Sequence, residues 1–116
     1  MGMRYALRIR ARTKATGETY DYVRSEPVPR GEVWHINSHS FENETGTRSI
    51  ARGFIDGHGY PHWLWYEATV TQDVLYWSED NIMLQEGERL AVRQATCTAG
   101  DQLQLLGQGY IEYLEK

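Results

Sequence analysis

Four histidines, His35, His39, His58 and His62, are the residues of this 116-residue chain best suited to metal chemistry. On an extended strand His35 and His39 point to one face. At a rise of about 3.3 Å per residue they sit roughly 13 Å apart, too far to share one ion through bonds of about 2 Å. His58 and His62 lie in and beside "DGHGYPH", with no cysteine or second histidine pair near them to complete a ligand set. Metal-dependent dioxygenases and isomerases built on small jelly rolls use two histidines one residue apart, followed by a glutamate. That pattern is absent here. The expectation is a chain without a metal and without a cofactor.

The other chemistries fare no better. Ser38, Ser40 and Ser49 are not framed as G-x-S-x-G, and no G-x-G-x-x-G or GxxxxGK[ST] stretch exists to cradle a phosphate. The acid pairs Glu42/Glu44, Glu79/Asp80 and Glu86/Glu88 fall in polar segments read as turns, where carboxylates stay solvated and no apolar surroundings fit them for acid–base work. Cys97, the single cysteine, ends a strand-like run and reads as a small buried thiol. It has no partner for an internal disulfide, which argues against a disulfide-built secreted scaffold. No catalytic residue is assigned, and an enzyme is not expected.

The elements that would position any site follow a period of two. In RYALRIRAR, Tyr5, Leu7, Ile9 and Ala11 alternate with arginines, the signature of a half-buried strand. TYDYV puts Tyr20 and Tyr22 on one face, and Pro27 and Pro29 then interrupt pairing. VWHINSHSF reads as a strand with Trp34 and Ile36 on one face and Val33, His35 and Phe41 on the other. TRSIARGFI, HWLWYEATV, VLYW, IML, RLAVRQATC, QLQLL and YIEYL follow, separated by "ENETGT", "DGHGYPH", "SEDN", "QEGE" and "TAGD". Turns spaced about 8–12 residues apart, with no helical period, predict an all-β chain. The expected form is one antiparallel β-sandwich over 1–116, jelly-roll-like, of about eight strands, with a basic region over 1–30 packed on 31–116.

The densest aromatic stretch is "GYPHWLWYE" (59–67). On a regular strand Trp63, Trp65 and Glu67 share one face, and His62, Leu64, Tyr66 and Ala68 the other. Two apolar faces suit a strand covered on one side by the core and on the other by a neighbouring subunit. The rival reading is a sugar platform, since Trp63 and Trp65 would be about 6.6 Å apart along the strand. Trp77 adds a further large aromatic nearby.

Charge divides the chain. Residues 1–30 carry seven basic and three acidic residues, whereas 31–116 carry five and thirteen, within a net charge of −4. Arg4, Arg8, Arg10, Arg12 and Lys14 precede the first acid and suit an oppositely charged partner. One basic strand set against an acidic remainder is a poor match to nucleic acid, and none is expected. No apolar run approaches the roughly 20 residues that cross a bilayer, so no membrane partner is expected. The N-terminus lacks both a secretory apolar core and the Ser/Thr of a myristoylation signal.

The segment "NIMLQEGERLAVRQATCTAGDQLQLLGQGYIE" (81–112) resembles the closing strands of small β-sandwich virion proteins of tailed bacteriophages. The resemblance lies in a short apolar strand, an acid-plus-Gly turn, the alternating "RLAV", the "AGD" turn and a last strand running to Gly and Tyr. Upstream, "VPRGEVWHINSHSFENETGTRSIARGFID" is similar to the same group, although Arg30 intervenes between Pro29 and Gly31. The resemblance implies a structural virion protein assembled in the host cytoplasm, foremost a head decoration or cement protein that stabilises the shell. A neck or tail accessory role is the alternative, and a carbohydrate-binding module the rival from another class. The implied partners are a major capsid protein or other virion protein and further copies of the chain. The contact residues assigned are Arg4, Arg8, Arg10 and Arg12 as an electrostatic strip, with Trp63, Trp65, Tyr66 and Trp77 as aromatic anchors.

Overall fold

The computed structural model describes residues 4–45, 49–70 and 74–114, excluding the side chains of Arg4, Ser49, Ala68, Thr69 and Asp80. Eight strands follow one another: β1 (Arg4–Lys14), β2 (Tyr20–Arg24), β3 (Glu32–Asn43), β4 (Ser49–Gly57), β5 (Tyr60–Val70), β6 (Tyr76–Leu84), β7 (Arg89–Ala95) and β8 (Gln102–Tyr113). They form two four-stranded sheets, in the orders β1-β8-β3-β6 and β2-β7-β4-β5, with every pairing antiparallel. The chain changes sheet at every connection except the β4–β5 hairpin, in the order of a jelly roll. The sequence expectation of an eight-stranded jelly-roll sandwich is met.

Alternation decides which side chains enter the space between the sheets. In β1, Leu7 and Ile9 are buried while Arg8, Arg10, Arg12 and Lys14 are exposed. Val23 of β2, Leu90 and Val92 of β7, and Leu103 and Leu105 of β8 meet them inside, with Ile82 and Leu84 of β6. No helix of the described residues is long and apolar enough to cross a membrane.

Two bulges reset the alternation, and both correct the sequence reading. In β3 the register slips between Ile36 and Ser38, leaving Asn37 outside the ladder. Trp34 and Ile36 point inward before the slip, and His39, Phe41 and Asn43 after it. Phe41 therefore shares the face of Trp34 and Ile36, against expectation, and His35 and His39 point to opposite sides of the sheet rather than the same one. The bulge presses close to β8, where a Cβ on Gly109 would lie 1.7 Å from the His35 carbonyl oxygen. In β5, Gly53 pairs with Trp65 but Phe54 with Trp63, so Leu64 is the extra residue. Leu64 and Trp65 both pack toward the core, and Trp63 turns outward.

Two expected breaks are not breaks. "SEDN" is not a turn, because Ser78 and Glu79 pair with His39 and Ser38 within a continuous β6. "DGHGYPH" contracts to a two-residue hairpin turn at His58 and Gly59, with φ of 55° and 82°. Pro61 sits within β5, which tolerates it as an edge strand. The expected "ENETGT" turn lies partly outside the described residues. The "TAGD" turn is capped by Asp101, whose Oδ2 accepts from the Thr98 N–H at 3.0 Å and from Asn43 Nδ2 at 3.1 Å.

Candidate functional site

The outer face of the second sheet collects aromatic rings and arginines from all four of its strands. Tyr20, Tyr22 and Arg24 come from β2, Arg93 from β7, Arg52 and Phe54 from β4, and Trp63 from β5. Each alternates with a residue of the core, so the positions that bury Val23, Val92 and Ala51 inside also set this layer outside. Phe54 is the centre. Its ring lies 5.0 Å from that of Trp63 and 6.2 Å from that of Tyr22, and only 3% of it reaches solvent.

The arginines lie over the rings. Arg52 Cζ is 3.9 Å from the Trp63 centroid, and Arg93 Cζ is 4.7 Å from Trp63 and 4.2 Å from Tyr20. Arg24 covers Tyr22 at 4.4 Å and donates through Nε to Asp56 Oδ2 at 2.9 Å. Arg52 and Arg93 are direct cross-strand partners, an arrangement of like charges that disfavours the pairing. Cation–π contacts, each worth about 0.5–1 kcal/mol at exposed sites, offset that repulsion. Among the described residues neither guanidinium pairs with a carboxylate. The layer is thus apolar surface studded with two cations that have no counter-ion among the described residues, a surface suited to a carboxylate-bearing partner.

The sequence-assigned aromatics divide. Trp63 joins this layer, and Tyr66, opposite Arg52, extends it at 59% exposure. Trp65 does not join them: the Leu64 bulge turns it inward, where it stacks on Phe41 at 4.6 Å and donates to His39 Nε2 at 2.8 Å. Trp63 and Trp65 therefore lie on opposite sides of their sheet and make no common platform. Trp77 stands on β6, in the other sheet, 67% exposed. Between the edge strands β5 and β6 a hollow of about 240 Å³ opens over Phe41, Trp65, Tyr76 and Trp77.

Arg8, Arg10 and Arg12 form an exposed row along β1, an edge strand of the first sheet, and Arg12 pairs with Glu44 at 2.5 Å. The Arg4 side chain lies outside the described residues. The row is remote in topology from the aromatic layer, which occupies the opposite sheet. The sequence reading missed Arg24, Arg52, Phe54 and Arg93 altogether, and used Tyr20 and Tyr22 only as strand markers. The alternation in β2, β4 and β7 was visible, but the strand order that joins them was not.

The remaining groups with chemical potential are His35, His58, His62 and Cys97. His35 stacks on Tyr110 at 4.4 Å and lies 2.9 Å from Glu112. His58 occupies the β4–β5 turn, and His62 is exposed on β5. Cys97 is buried, as expected, with Sγ 3.9 Å from Gln94 Oε1. Among the described residues no group of three or more His, Cys, Asp or Glu side chains is placed to hold a metal ion.

No protein-family model matches the chain, and no curated protein sequence matches it. Its fold is similar to that of a Bacillus endospore appendage, from work describing such appendages as a family of disulfide-linked pili. The TM-score is 0.60 at 10% identity, over 99% of this chain and 92% of that one. More distant likenesses are to murine APRIL, with a TM-score of 0.46 at 14% identity over 89% of this chain and 99% of that one, and to the infectious bursal disease virus Gt strain. The last has a TM-score of 0.31 at 11% identity, over 94% of this chain and 31% of that one.

Proposed function

We propose that the chain is a structural subunit that acts by packing the outer face of its second sheet against a carboxylate-bearing surface of a neighbouring subunit. The observation that carries this is the layer of Tyr20, Tyr22, Phe54 and Trp63 with Arg52 and Arg93 laid over it. Tyr, Trp and Arg are the residue types that dominate binding energy at protein interfaces. A contact of about 800 Å² per partner would cover such a face and the strand edges around it. The appendage whose fold this chain shares is described as a pilus, an assembly of repeated subunits, which fits the reading without fixing its setting. Cys97 is buried, so the association proposed here is non-covalent.

The resemblance to small tailed-phage proteins gives the finer form of the proposal: a decoration or cement protein that spans boundaries of the head shell, in the virion. Its partners would be the shell protein and further copies of itself. At about 25 cal/mol per Å² of apolar area, a few hundred Å² per copy yields several kcal/mol before association costs, repeated at every site of a lattice.

Light-scattering mass tests the reading, comparing the wild-type chain with Trp63→Ala and Arg93→Glu. The expected result is an oligomer in the wild type and monomers with unchanged circular dichroism in both variants. A wild-type chain that stays monomeric up to about millimolar concentration, the 4 kcal/mol end of the affinity scale, would remove self-association from the proposal.

A further inference from the structure

From the opposite side of the sandwich, we infer that the outer face of the first sheet is a binding site for a neutral oligosaccharide. The Asn37 bulge and the side chains beside it form an open hollow of about 590 Å³, lined by Asn37, Ser38, Glu79, Asn81 and Gln108. It runs into a second hollow of about 240 Å³, which shares Ser38 and Gln108 with it and ends at Trp77. Together they make a trough across the middle of the sheet, with β6 as one wall and β8 as the other. From Trp77 to Asn81 along β6 is about 13 Å, room for a short oligosaccharide.

What singles out this trough is unspent hydrogen-bonding capacity. Among the described residues none of the five polar side chains of the larger hollow makes a hydrogen bond or ion pair within the protein, and the Trp77 ring contacts no other ring. Elsewhere on the same face the side-chain amides are committed, and Arg8, Arg10 and Lys14 are solvated cations on the far edge strand. Gln102 donates to the Thr13 carbonyl, Gln104 to Glu42, Arg12 pairs with Glu44 and His35 with Glu112. The uncommitted amides are therefore gathered at one place, around the register shift of β3.

Their chemistry selects the ligand class. Three primary amides, a hydroxyl and a carboxylate offer donors and acceptors side by side, which is what vicinal sugar hydroxyls engage, each being donor and acceptor at once. Trp77, two-thirds exposed at the trough's end, offers a flat π-face for the C–H side of a pyranose ring. Glu79 in the lining opposes phosphate and uronate, and Arg8 reaches only an adjoining shallow hollow. An extended peptide that added a strand would pair with the free edge of β6, in the plane of the sheet, and not across the face where the trough lies.

The test is a heteronuclear NMR titration of the full chain with neutral oligosaccharides (glucan, mannan, galactan and chitin fragments) and with acidic ones. The variants are Trp77→Ala, Gln108→Ala and, on the other face, Arg93→Ala. The expected result is that a neutral oligosaccharide shifts the side-chain amide signals of Asn37, Asn81 and Gln108. Trp77→Ala and Gln108→Ala should each weaken binding about tenfold, and Arg93→Ala should leave it unchanged. Both trough residues are exposed, so their truncation leaves the core intact. The inference is overturned if no neutral oligosaccharide moves those signals at about 10 mM, if acidic ones alone do, or if the shifts map to Trp63 and Tyr20. A wild-type chain that stays monomeric yet binds sugar would remove self-association from the assembly reading and leave this one standing.

Discussion

The indole N–H of Trp65 on β5 donates to Nε2 of His39 on β3 at 2.8 Å, so one side-chain hydrogen bond ties the two sheets together. Nε2 is the acceptor, so the bond requires that nitrogen to be unprotonated. The same indole stacks on Phe41, which stacks on Tyr76 at 5.2 Å, making a ring tier along the β5–β6 edge of the sandwich. Trp65→Phe keeps an aromatic ring over Phe41 but removes the donor, leaving a buried acceptor short of its bond. The expected loss is about 1–3 kcal/mol, against about 3–5 kcal/mol for Trp65→Ala, which also opens a cavity. Urea midpoints at constant slope give both numbers. A Phe variant as stable as the wild type would show that the bond contributes nothing.

Gly53 exists to let that indole lie flat across β4. A Cβ at this position would fall 2.2 Å from the Trp65 ring. Gly53→Ala should therefore destabilise by about 1–3 kcal/mol through overpacking, while in a Trp65→Ala background the added methyl finds space and costs far less. Equal costs in the two backgrounds would refute the steric account.

The fold was legible where alternation ran unbroken. The inward positions of Leu7 and Ile9 in β1, of Asp21 and Val23 in β2 and of Leu90, Val92 and Gln94 in β7 fall at every second residue, and a period of two needs no knowledge of neighbours. It failed at Asn37 and Leu64, because a bulge reverses the phase of a strand without changing the kinds of residue on either side. That is why Phe41, His39 and Trp65 were assigned to the wrong faces. "SEDN" looked like a turn because an edge strand can show polar residues to solvent. The aromatic layer was half legible: Trp63 and Tyr66 stood out by type. Arg52 and Arg93 acquire meaning only once strand order brings residues 20–24, 52–54, 63 and 93 onto one sheet.

Asp101 is 7% exposed and accepts from both the Thr98 backbone and the Asn43 side chain, locking the β7–β8 turn onto the end of β3. Asp101→Ala strands two donors at once, and a loss of about 2–3 kcal/mol is expected, since bonds to a charged acceptor run about 1.5–3 kcal/mol. Asp101→Asn retains an acceptor oxygen and should lose less. Thermal midpoints of the two variants provide the check, and the reverse ranking would mean that the turn is held by its backbone bonds alone.

The arginine row on β1 should behave in the opposite way. Arg12 is 57% exposed in its ion pair with Glu44, and Arg8 and Arg10 are solvated on an edge strand, so none of them secures the fold. A triple variant, Arg8→Gln, Arg10→Gln and Arg12→Gln, should keep its urea midpoint, with a stability change within about 0.5 kcal/mol. If the row steers an acidic partner, the loss appears in the association rate instead. That rate should fall about tenfold or more at low ionic strength and converge with the wild type in high salt, where charges beyond the Debye length are screened. Stopped-flow light scattering across a salt series measures it directly. An association rate untouched at low salt would confine the row to solubility and leave the aromatic face of the second sheet as the surface that assembles.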